Sequence, residues 1–139
     1  MKKILFFALA LVAGALSMNA QTVLDTTQVD GIWYILDKTN HTATVTYALS
    51  ETGGMGQDTY SGRLIIPEYT QVYDEATYNY EDYTVTAIGD YAFFWCNNLT
   101  AISIPKTVKT VGLNLLSRTL GVTELTIADG DEPIQFTYE

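Results

Sequence analysis

The sequence has little positive charge. Its 139 residues include 7 lysines and arginines against 16 aspartates and glutamates, which gives a net charge of −9 at pH 7. A surface with this balance repels the phosphates of nucleic acids and the headgroups of anionic lipids. We therefore expect no nucleic acid partner.

Cysteine and histidine are almost absent, with one residue each, Cys96 and His41. A single cysteine excludes a disulfide within the chain, and a nucleophilic or metal-bound thiol needs a base or further ligands. We interpret Cys96 as a buried structural thiol and His41 as a solvated turn residue. The acidic residues Asp129, Asp131 and Glu132 lack the spacing of a calcium-binding loop. No catalytic, metal-binding or cofactor-binding residue is predicted.

Long apolar runs are missing except near the N-terminus. Two lysines precede an uncharged run at residues 4–16, and small and polar residues follow at 17–20. This is the layout of a secretory signal peptide, and the run is shorter than the roughly 20 residues that a transmembrane helix needs. The sequence predicts a signal peptide at residues 1–20, cleaved after Ala20. The mature chain would be secreted or exposed on the outer cell surface, without membrane insertion.

After a flexible arm at residues 21–29, residues 30–84 have the pattern of an antiparallel β-meander. Apolar residues alternate with threonine and alanine at 43–49, a period of two that is typical of a strand with one buried face. Residues 31–36 are its predicted hairpin partner, and a further strand is predicted at 61–66. The meander would cap the part of the chain that follows it.

A tyrosine-rich insertion occupies residues 68–83. We predict two short strands, at 77–80 and 83–88, joined by a turn at residues 81–82. Tyrosine provides rigid contact area with a polar tip, which suits a binding face. Alternatively, these tyrosines only pack against one another within a small hairpin. The candidate binding residues are Tyr69, Tyr73, Tyr78, Tyr80 and Tyr83.

Residues 85–139 contain an internal repeat, in which six apolar positions and one glycine recur 23 positions later without a gap. One strand and one short helical turn per unit of about 20 to 29 residues is typical of a leucine-rich repeat solenoid. The sequence therefore predicts a β-rich α/β fold with two 23-residue units and a C-terminal tail, capped by the meander. Short helices are predicted at 91–95 and 114–117, with Asp90 as an N-cap. The matching pairs are Val85 and Val108, Ile88 and Val111, Gly89 and Gly112, Phe93 and Leu116, Leu99 and Val122, Ile102 and Leu125, and Ile104 and Ile127.

The first unit contains, in order, Ile88-Gly89, Ala92-Phe93, Cys96, Leu99 and Ile104-Pro105. In these motifs the chain resembles the BspA-like leucine-rich repeat family of bacterial surface proteins. The resemblance implies an extracellular or outer-surface protein that binds a protein or a glycan, commonly in adhesion to a host.

The sequence thus predicts a non-enzymatic binding protein, and two alternatives stay open. One is a glycan-active enzyme that uses two paired carboxylates, and the other is a truncated, nonfunctional remnant of a longer repeat protein. Because the last predicted strand would be an open edge, we also expect end-to-end or edge-strand self-association. The run Asp25-Thr26-Thr27 is a candidate O-glycosylation acceptor.

Overall fold

The computed structural model describes residues 25–52 and 54–137, so the predicted signal peptide lies outside the described residues. Within them the chain forms ten strands and no helix, and accordingly no helix there is long and apolar enough to cross a membrane. The strands are β1 Thr26–Val29, β2 Ile32–Asp37, β3 Thr42–Thr46, β4 Gly62–Ile65, β5 Tyr69–Asp74, β6 Asn79–Ile88, β7 Leu99–Ile104, β8 Thr110–Val111, β9 Glu124–Ile127 and β10 Gln135–Phe136.

The strands form two sheets. The first has the order β1-β2-β3-β6-β8-β10, with β5 also paired to β6, and the second has the order β4-β7-β9. The pairs β1 with β2, β2 with β3 and β5 with β6 are antiparallel, whereas all other pairs are parallel. Apart from the inserted β5, the chain alternates between the two sheets from β3 onward and therefore winds into coils. We name them coil 1 (β3 and β4), coil 2 (β6 and β7) and coil 3 (β8 and β9).

Equivalent residues of coils 2 and 3 lie opposite each other in neighbouring strands. Ile104 pairs with Ile127 in the second sheet, and Ile88 pairs with Val111 in the first. The meander takes part in the same sheets, because β3 pairs with β6 and β4 pairs with β7. Both sheets therefore combine strands from the two sides of the predicted boundary between residues 84 and 85.

The apolar core lies between the two sheets and the turns that connect them. We call these turns corners: residues 91–95 connect β6 to β7, and residues 113–118 connect β8 to β9. Val85 and Ile88 come from the first sheet, Leu99 and Ile102 come from the second, and Phe93 comes from the corner; each is at most 1% exposed. Complete burial of an aliphatic or aromatic side chain contributes roughly 1.5 to 3 kcal/mol. Stacking of coils therefore supplies the core that a single unit lacks.

Tyr60 ties the meander to coil 2. Its ring meets the ring of Phe93 edge to face, with 5.7 Å between the centroids. Its hydroxyl accepts a hydrogen bond from the backbone N–H of Trp33 at 3.0 Å and donates one to the carbonyl oxygen of Thr46. Burial raises the pKa of Tyr60. The buried hydroxyl thus both donates and accepts a hydrogen bond, which offsets the cost of removing it from water.

The predicted hairpin of β2 and β3 is confirmed. Its turn is built by Asp37, whose carboxylate accepts hydrogen bonds from the backbone N–H groups of Thr39 and Asn40, both at 3.0 Å. A short acidic side chain that bonds the backbone two and three residues ahead stabilises a turn. The polar run after β2 therefore fixes the hairpin locally.

The end of the predicted flexible arm forms β1 instead, which is antiparallel to β2. The turn between them is Asp30-Gly31, with φ values of 49° and 85°. Asp-Gly is favoured in two-residue hairpin turns, where both residues take positive φ, so this dipeptide is the signal that indicates β1. Thr26 and Thr27, the candidate glycosylation residues, lie in β1 and are partly buried.

The predicted short helices are wrong, because both corners consist of turns. Tyr91 and Trp95 have φ values of 57° and 55°, and the equivalent Asn114 and Arg118 have 52° and 59°. Left-handed residues interrupt a right-handed helix. The backbone N–H of Tyr91 donates to the carbonyl oxygen of Leu113 in the next corner at 3.0 Å. Hydrogen bonds that a helix would keep within itself thus connect two coils.

Asp90 also links two coils rather than capping a helix. Its Oδ1 accepts a hydrogen bond from the backbone N–H of Leu113 at 2.7 Å. Gly112 lies so close that a Cβ added there would be 2.6 Å from the backbone nitrogen of Asp90. A glycine is therefore required at position 112, because the corners of coils 2 and 3 approach too closely there for a side chain.

The hairpin of β5 and β6 turns at a different place from the prediction. Residues 81–82 lie inside β6, and the chain turns at residues 75–78. Asp74 builds this turn, because its Oδ1 accepts the N–H of Ala76 at 2.9 Å and its carbonyl accepts the N–H of Tyr78 at 2.8 Å. An aspartate that bonds its own backbone two residues on nucleates such a turn.

Candidate functional site

The tyrosine ribbon, which we define as residues 69–74 and 79–84, is inserted between the strands of coils 1 and 2. Its two segments pair as antiparallel strands, with Tyr73 opposite Tyr80 and Gln71 opposite Asp82. The rest of β6 pairs with β3 and β8. The ribbon is therefore continuous with the first sheet, which holds its side chains on a scaffold anchored in the core.

The outward face of the ribbon carries aromatic and polar side chains. The rings of Tyr73 and Tyr80 meet edge to face with 5.3 Å between centroids, and Gln71 Nε2 donates to Asp82 Oδ1 at 2.7 Å. Tyr69 and Tyr80 are 59% and 68% exposed. Cross-strand aromatic pairs contribute roughly 0.2 to 1 kcal/mol each, so the face is ordered by contacts within itself.

Tyr83 differs from the other candidate residues. It is only 2% exposed, and its ring stacks on His41 with 5.3 Å between centroids and 17° between planes. Because side chains alternate along a strand, a residue three positions after Tyr80 points to the opposite face. The expectation that Tyr83 is an exposed binding residue is therefore wrong. Its odd spacing from Tyr80 within one strand indicates the opposite face.

The remaining candidate, Tyr78, lies in the turn at the tip of the ribbon. It is 78% exposed and has a φ of 57°. The structure thus brings Tyr73 and Tyr80 into contact, places Tyr69 further along the same ribbon, and leaves Tyr78 at its tip. These four tyrosines are accessible to a partner.

A cleft of about 580 Å³ lies between the hairpin of β1 and β2 and the strand β5. Tyr69, Tyr80 and Asp30 line it together with Gln71, and the buried Tyr34 also forms part of its wall. Burial raises the pKa of Tyr34 to about 12. A concave site with aromatic walls and a few polar groups is the usual form of a binding site.

Sequence reasoning missed the part of this cleft that comes from Asp30 and Tyr34. These residues approach Tyr69 only because the first sheet brings β1 and β2 near β5, and no local pattern reports that approach. The Asp30-Gly31 turn signal places a hairpin at this point of the chain, but it does not indicate which strand the hairpin faces.

A second, smaller cleft of about 230 Å³ lies between β1 and the other end of β5. Tyr73, Tyr83 and Asp74 line it together with Lys38 and Asp25. Lys38 Nζ is 2.6 Å from a carboxylate oxygen of Asp25, and this hydrogen bond raises the pKa of Lys38. At this end of β5 the protein thus places its own cation among carboxylates and tyrosines.

Every lysine and arginine of the described residues is engaged by an acidic side chain or an aromatic ring. The larger cleft is lined by none of them. Among the residues that line this cleft, Asp30 alone is charged. The five contacts are Lys38 with Asp25, Arg63 with Glu124, Lys106 with Glu68, Lys109 with Glu132, and Arg118 over the ring of Trp95.

Cys96 and His41 are separate features of the molecule. Cys96 is fully buried, and desolvation raises the pKa of its thiol. Its backbone N–H donates to Oγ1 of Thr119, the residue that takes its place in the next unit, at 3.2 Å. His41 lies in the turn before β3 and is exposed, as the sequence predicts. The thiol therefore has the environment of a structural residue rather than a reactive one.

The acidic residues Asp129, Asp131 and Glu132 are exposed in the segment after β9. Glu132 is 3.6 Å from Nζ of Lys109. Across residues 25–52 and 54–137, no group of three or more histidine, cysteine, aspartate or glutamate side chains is placed to hold a metal ion.

Strands that stack coil upon coil through parallel sheets, with a repeated apolar motif facing inward, define a leucine-rich repeat protein. The family model for the BspA type leucine rich repeat region (6 copies) matches residues 68–136. The chain belongs to this BspA-like family, as its sequence motifs predicted.

Two solved structures are similar to the chain. A leucine-rich repeat protein from Bacteroides capillosus ATCC 29799 is 25% identical with a TM-score of 0.53, over 74% of this chain and 65% of that protein. A leucine rich cell surface protein from Faecalibacterium prausnitzii A2-165 is 29% identical with a TM-score of 0.50, over 78% of this chain and 24% of that protein. The chain thus spans less than two thirds of the first and about a quarter of the second. No curated protein matches the chain.

Proposed function

We propose that the protein is a non-enzymatic, secreted or cell-surface binding protein that holds a partner protein on the outward face of the tyrosine ribbon. The observation that carries the proposal is the exposure of Tyr69, Tyr73 and Tyr80 along a ribbon that the core anchors. Tyrosine is enriched among the residues that dominate binding energy, because it gives large contact area at a low entropic cost.

The geometry of the ribbon supports binding in a second way. Tyr73 and Tyr80 are already held edge to face across the two strands, so a partner meets side chains whose arrangement is fixed before binding. Side chains fixed in advance lose less entropy on association, which increases affinity without adding contacts. A glycan is the alternative ligand for the same face.

The surface location and the solenoid unit are parts of the same proposal. The neighbour from Faecalibacterium prausnitzii is described as a cell surface protein, and residues 1–20 have the layout of a signal peptide. The pairing of Ile102 with Leu125 and of Ile104 with Ile127 supports a 23-residue coil as the repeating unit.

A binding screen tests the proposal. Residues 21–139 and a Tyr73→Ser/Tyr80→Ser variant are applied to arrays of matrix proteins and glycans, with Leu120→Ser as the control, because Leu120 is 88% exposed and lies outside the ribbon. We expect the double variant to lose at least about tenfold in affinity and the control to retain it. Equal binding by all three proteins would refute the ribbon as the binding face.

Thermal unfolding of the same proteins separates binding from folding. A cooperative transition at a similar temperature in the double variant is expected, because both tyrosines lie on the exposed face. Absence of a cooperative transition in the unmodified chain would support the nonfunctional remnant instead.

A further inference from the structure

We propose that the cleft of about 580 Å³ beside the tyrosine ribbon receives the cationic side chain of an arginine or lysine of the partner protein. The inference rests on the proposed binding function of the ribbon and names the chemistry that the cleft recognises. Its basis is the juxtaposition of Tyr69 and Tyr80 with the carboxylate of Asp30 in one cleft that no lysine or arginine of the described chain lines.

The walls of the cleft have the groups that attract an organic cation. The face of a tyrosine ring carries negative electrostatic potential, and a cation within about 6 Å of the ring centre is stabilised by it. Tyr69 and Tyr80 are 59% and 68% exposed, so their rings are accessible from solvent. Asp30 is exposed at the same cleft and can accept hydrogen bonds from a guanidinium or ammonium group.

The charge distribution selects a cation over an anion. The chain has 16 acidic residues against 7 basic ones, and each basic side chain in residues 25–52 and 54–137 already contacts an acid or an aromatic ring. Asp30 is the one charged residue that lines the cleft, so the cleft carries a negative charge that no lysine or arginine in its lining offsets. Such a charge raises the local concentration of cationic groups and speeds their association.

The neighbouring cleft shows the same chemistry within the protein. Both clefts lie between β1 and β5, and in the smaller one Lys38 sits beside Asp25 in a wall that also contains Tyr73 and Tyr83. The smaller cleft therefore holds a cation from the chain itself. The larger cleft, at Asp30, likewise combines tyrosines with a carboxylate, and no lysine or arginine of the described chain lines it.

Arginine fits this cleft better than lysine. Its planar guanidinium stacks on an aromatic ring and presents several donors at once, whereas an ammonium group is more strongly hydrated. We expect an arginine peptide to bind more tightly than a lysine peptide, and both to bind more tightly than a neutral one.

The test is a titration of isotope-labelled residues 21–139, followed by nuclear magnetic resonance. The probes are three five-residue peptides of glycine and serine, capped at both ends, with a central arginine, lysine or citrulline. Citrulline is the neutral counterpart of arginine. We expect saturable shifts at Asp30, Tyr69 and Tyr80 with arginine, at least about threefold weaker binding with citrulline, and weaker arginine binding at high salt.

Variants locate the binding. Tyr80→Ala should weaken arginine binding about two- to fivefold, and Asp30→Asn should weaken it about 1.4- to fivefold. The matched controls are Tyr47→Ala and Asp129→Asn, which change the same residue types outside both the cleft and the ribbon and should leave binding unchanged. Thermal unfolding confirms that each variant is folded.

Equal binding of the arginine and citrulline peptides, or equal effects of the cleft variants and their controls, would overturn the cationic ligand. A neutral glycan that shifts the same residues while arginine does not would also overturn it. These outcomes are distinct from failure of the ribbon function, which the screen with Tyr73→Ser/Tyr80→Ser decides with intact partners.

Discussion

Coils 2 and 3 carry the same motif but bury it to different extents. Ile102 is 1% exposed and its equivalent Leu125 is 47% exposed, while Ile104 and Ile127 are 3% and 43% exposed. In the other sheet the equivalent residues stay alike, since Ile88 and Val111 are both 1% exposed. Burial therefore depends on the neighbouring strand and not on the motif alone.

The strand pairing explains this contrast. In the first sheet β8 is followed by β10, which covers the outer edge of coil 3, whereas in the described residues the second sheet ends at β9. At the opposite end of the stack β2 covers β3 in the first sheet, and although β4 is likewise an edge strand of the second sheet, its Leu64 is only 9% exposed. The stack thus has a covered end and a half-covered end, which differ in what a substitution there costs.

The largest expected effect comes from truncating one equivalent pair. Ile102→Ala should lower the free energy of unfolding by about 2 to 5 kcal/mol, because it leaves a cavity in a packed core. Leu125→Ala should lower it by about 1 kcal/mol, because about half of that side chain is already in solvent. Urea denaturation measures both values.

Another equivalent pair, Val85 in β6 and Val108 just before β8, provides the control. Val85 and Val108 are 0% and 1% exposed, so Val85→Ala and Val108→Ala should have similar costs. If Leu125→Ala proved as costly as Ile102→Ala, the half-covered end would be covered in solution. A stability that rises with protein concentration would then identify the self-association expected from the open edge.

The motif spacing was sufficient to predict the neighbours but not the corners. It placed Ile104 beside Ile127, because apolar residues with a fixed period must share one interior. It did not predict left-handed backbone at Tyr91 and Trp95, which are not glycines and carry no local signal for positive φ. Their conformation is set by hydrogen bonds to the next coil, which the local sequence does not encode.

The candidate site was predictable to a similar extent. The cluster of tyrosines was visible in the sequence, and alternation along a strand separates Tyr83 from Tyr80 once the strand is known. The turn predicted at residues 81–82 concealed this alternation, because those residues lie inside β6. Asp30 and Tyr34 reach the cleft through the tertiary arrangement of β1, β2 and β5, so no spacing in the chain reports them.

The pH dependence of stability tests whether Tyr34, at the covered end of the stack, is buried in solution. Tyr34 is buried, and its pKa of about 12 lies above the ordinary value of 10.0. Between these values the unfolded chain loses the proton that the folded chain keeps, so stability falls as pH rises from 10 to 12 and does not respond to this group below 10. The slope for one proton is at most about 1.4 kcal/mol per pH unit.

Denaturant unfolding at pH 9 and pH 11 checks this expectation. Tyr34→Phe removes the ionisable group, so its stability should fall less steeply over that interval than that of the unmodified chain. An identical slope in the two proteins would show that Tyr34 is not protected in the folded state.

The contact between coils 2 and 3 at Thr119 should contribute less. Its Oγ1 donates to the carbonyl oxygen of Phe93 and accepts the backbone N–H of Cys96 at 3.2 Å. Thr119→Val preserves the shape but removes these hydrogen bonds, and should lower the free energy of unfolding by about 1 kcal/mol. Thr123→Val, at an exposed position of the same coil, should change it by no more than about 0.5 kcal/mol. Equal effects in urea denaturation would argue against the buried hydrogen bonds.

The smallest effect is expected for an ion pair that connects the two edge strands of the second sheet, β4 and β9. Arg63 of β4 and Glu124 of β9 both lie opposite Ala101 of β7, and their side chains form an ion pair across it. Both side chains are about half exposed, so the pair should contribute only about 0.2 to 1 kcal/mol and should weaken with salt. A double-mutant cycle of Arg63→Gln and Glu124→Gln measures this coupling energy. No coupling even at low salt would show that this ion pair does not stabilise the contact between β4 and β9.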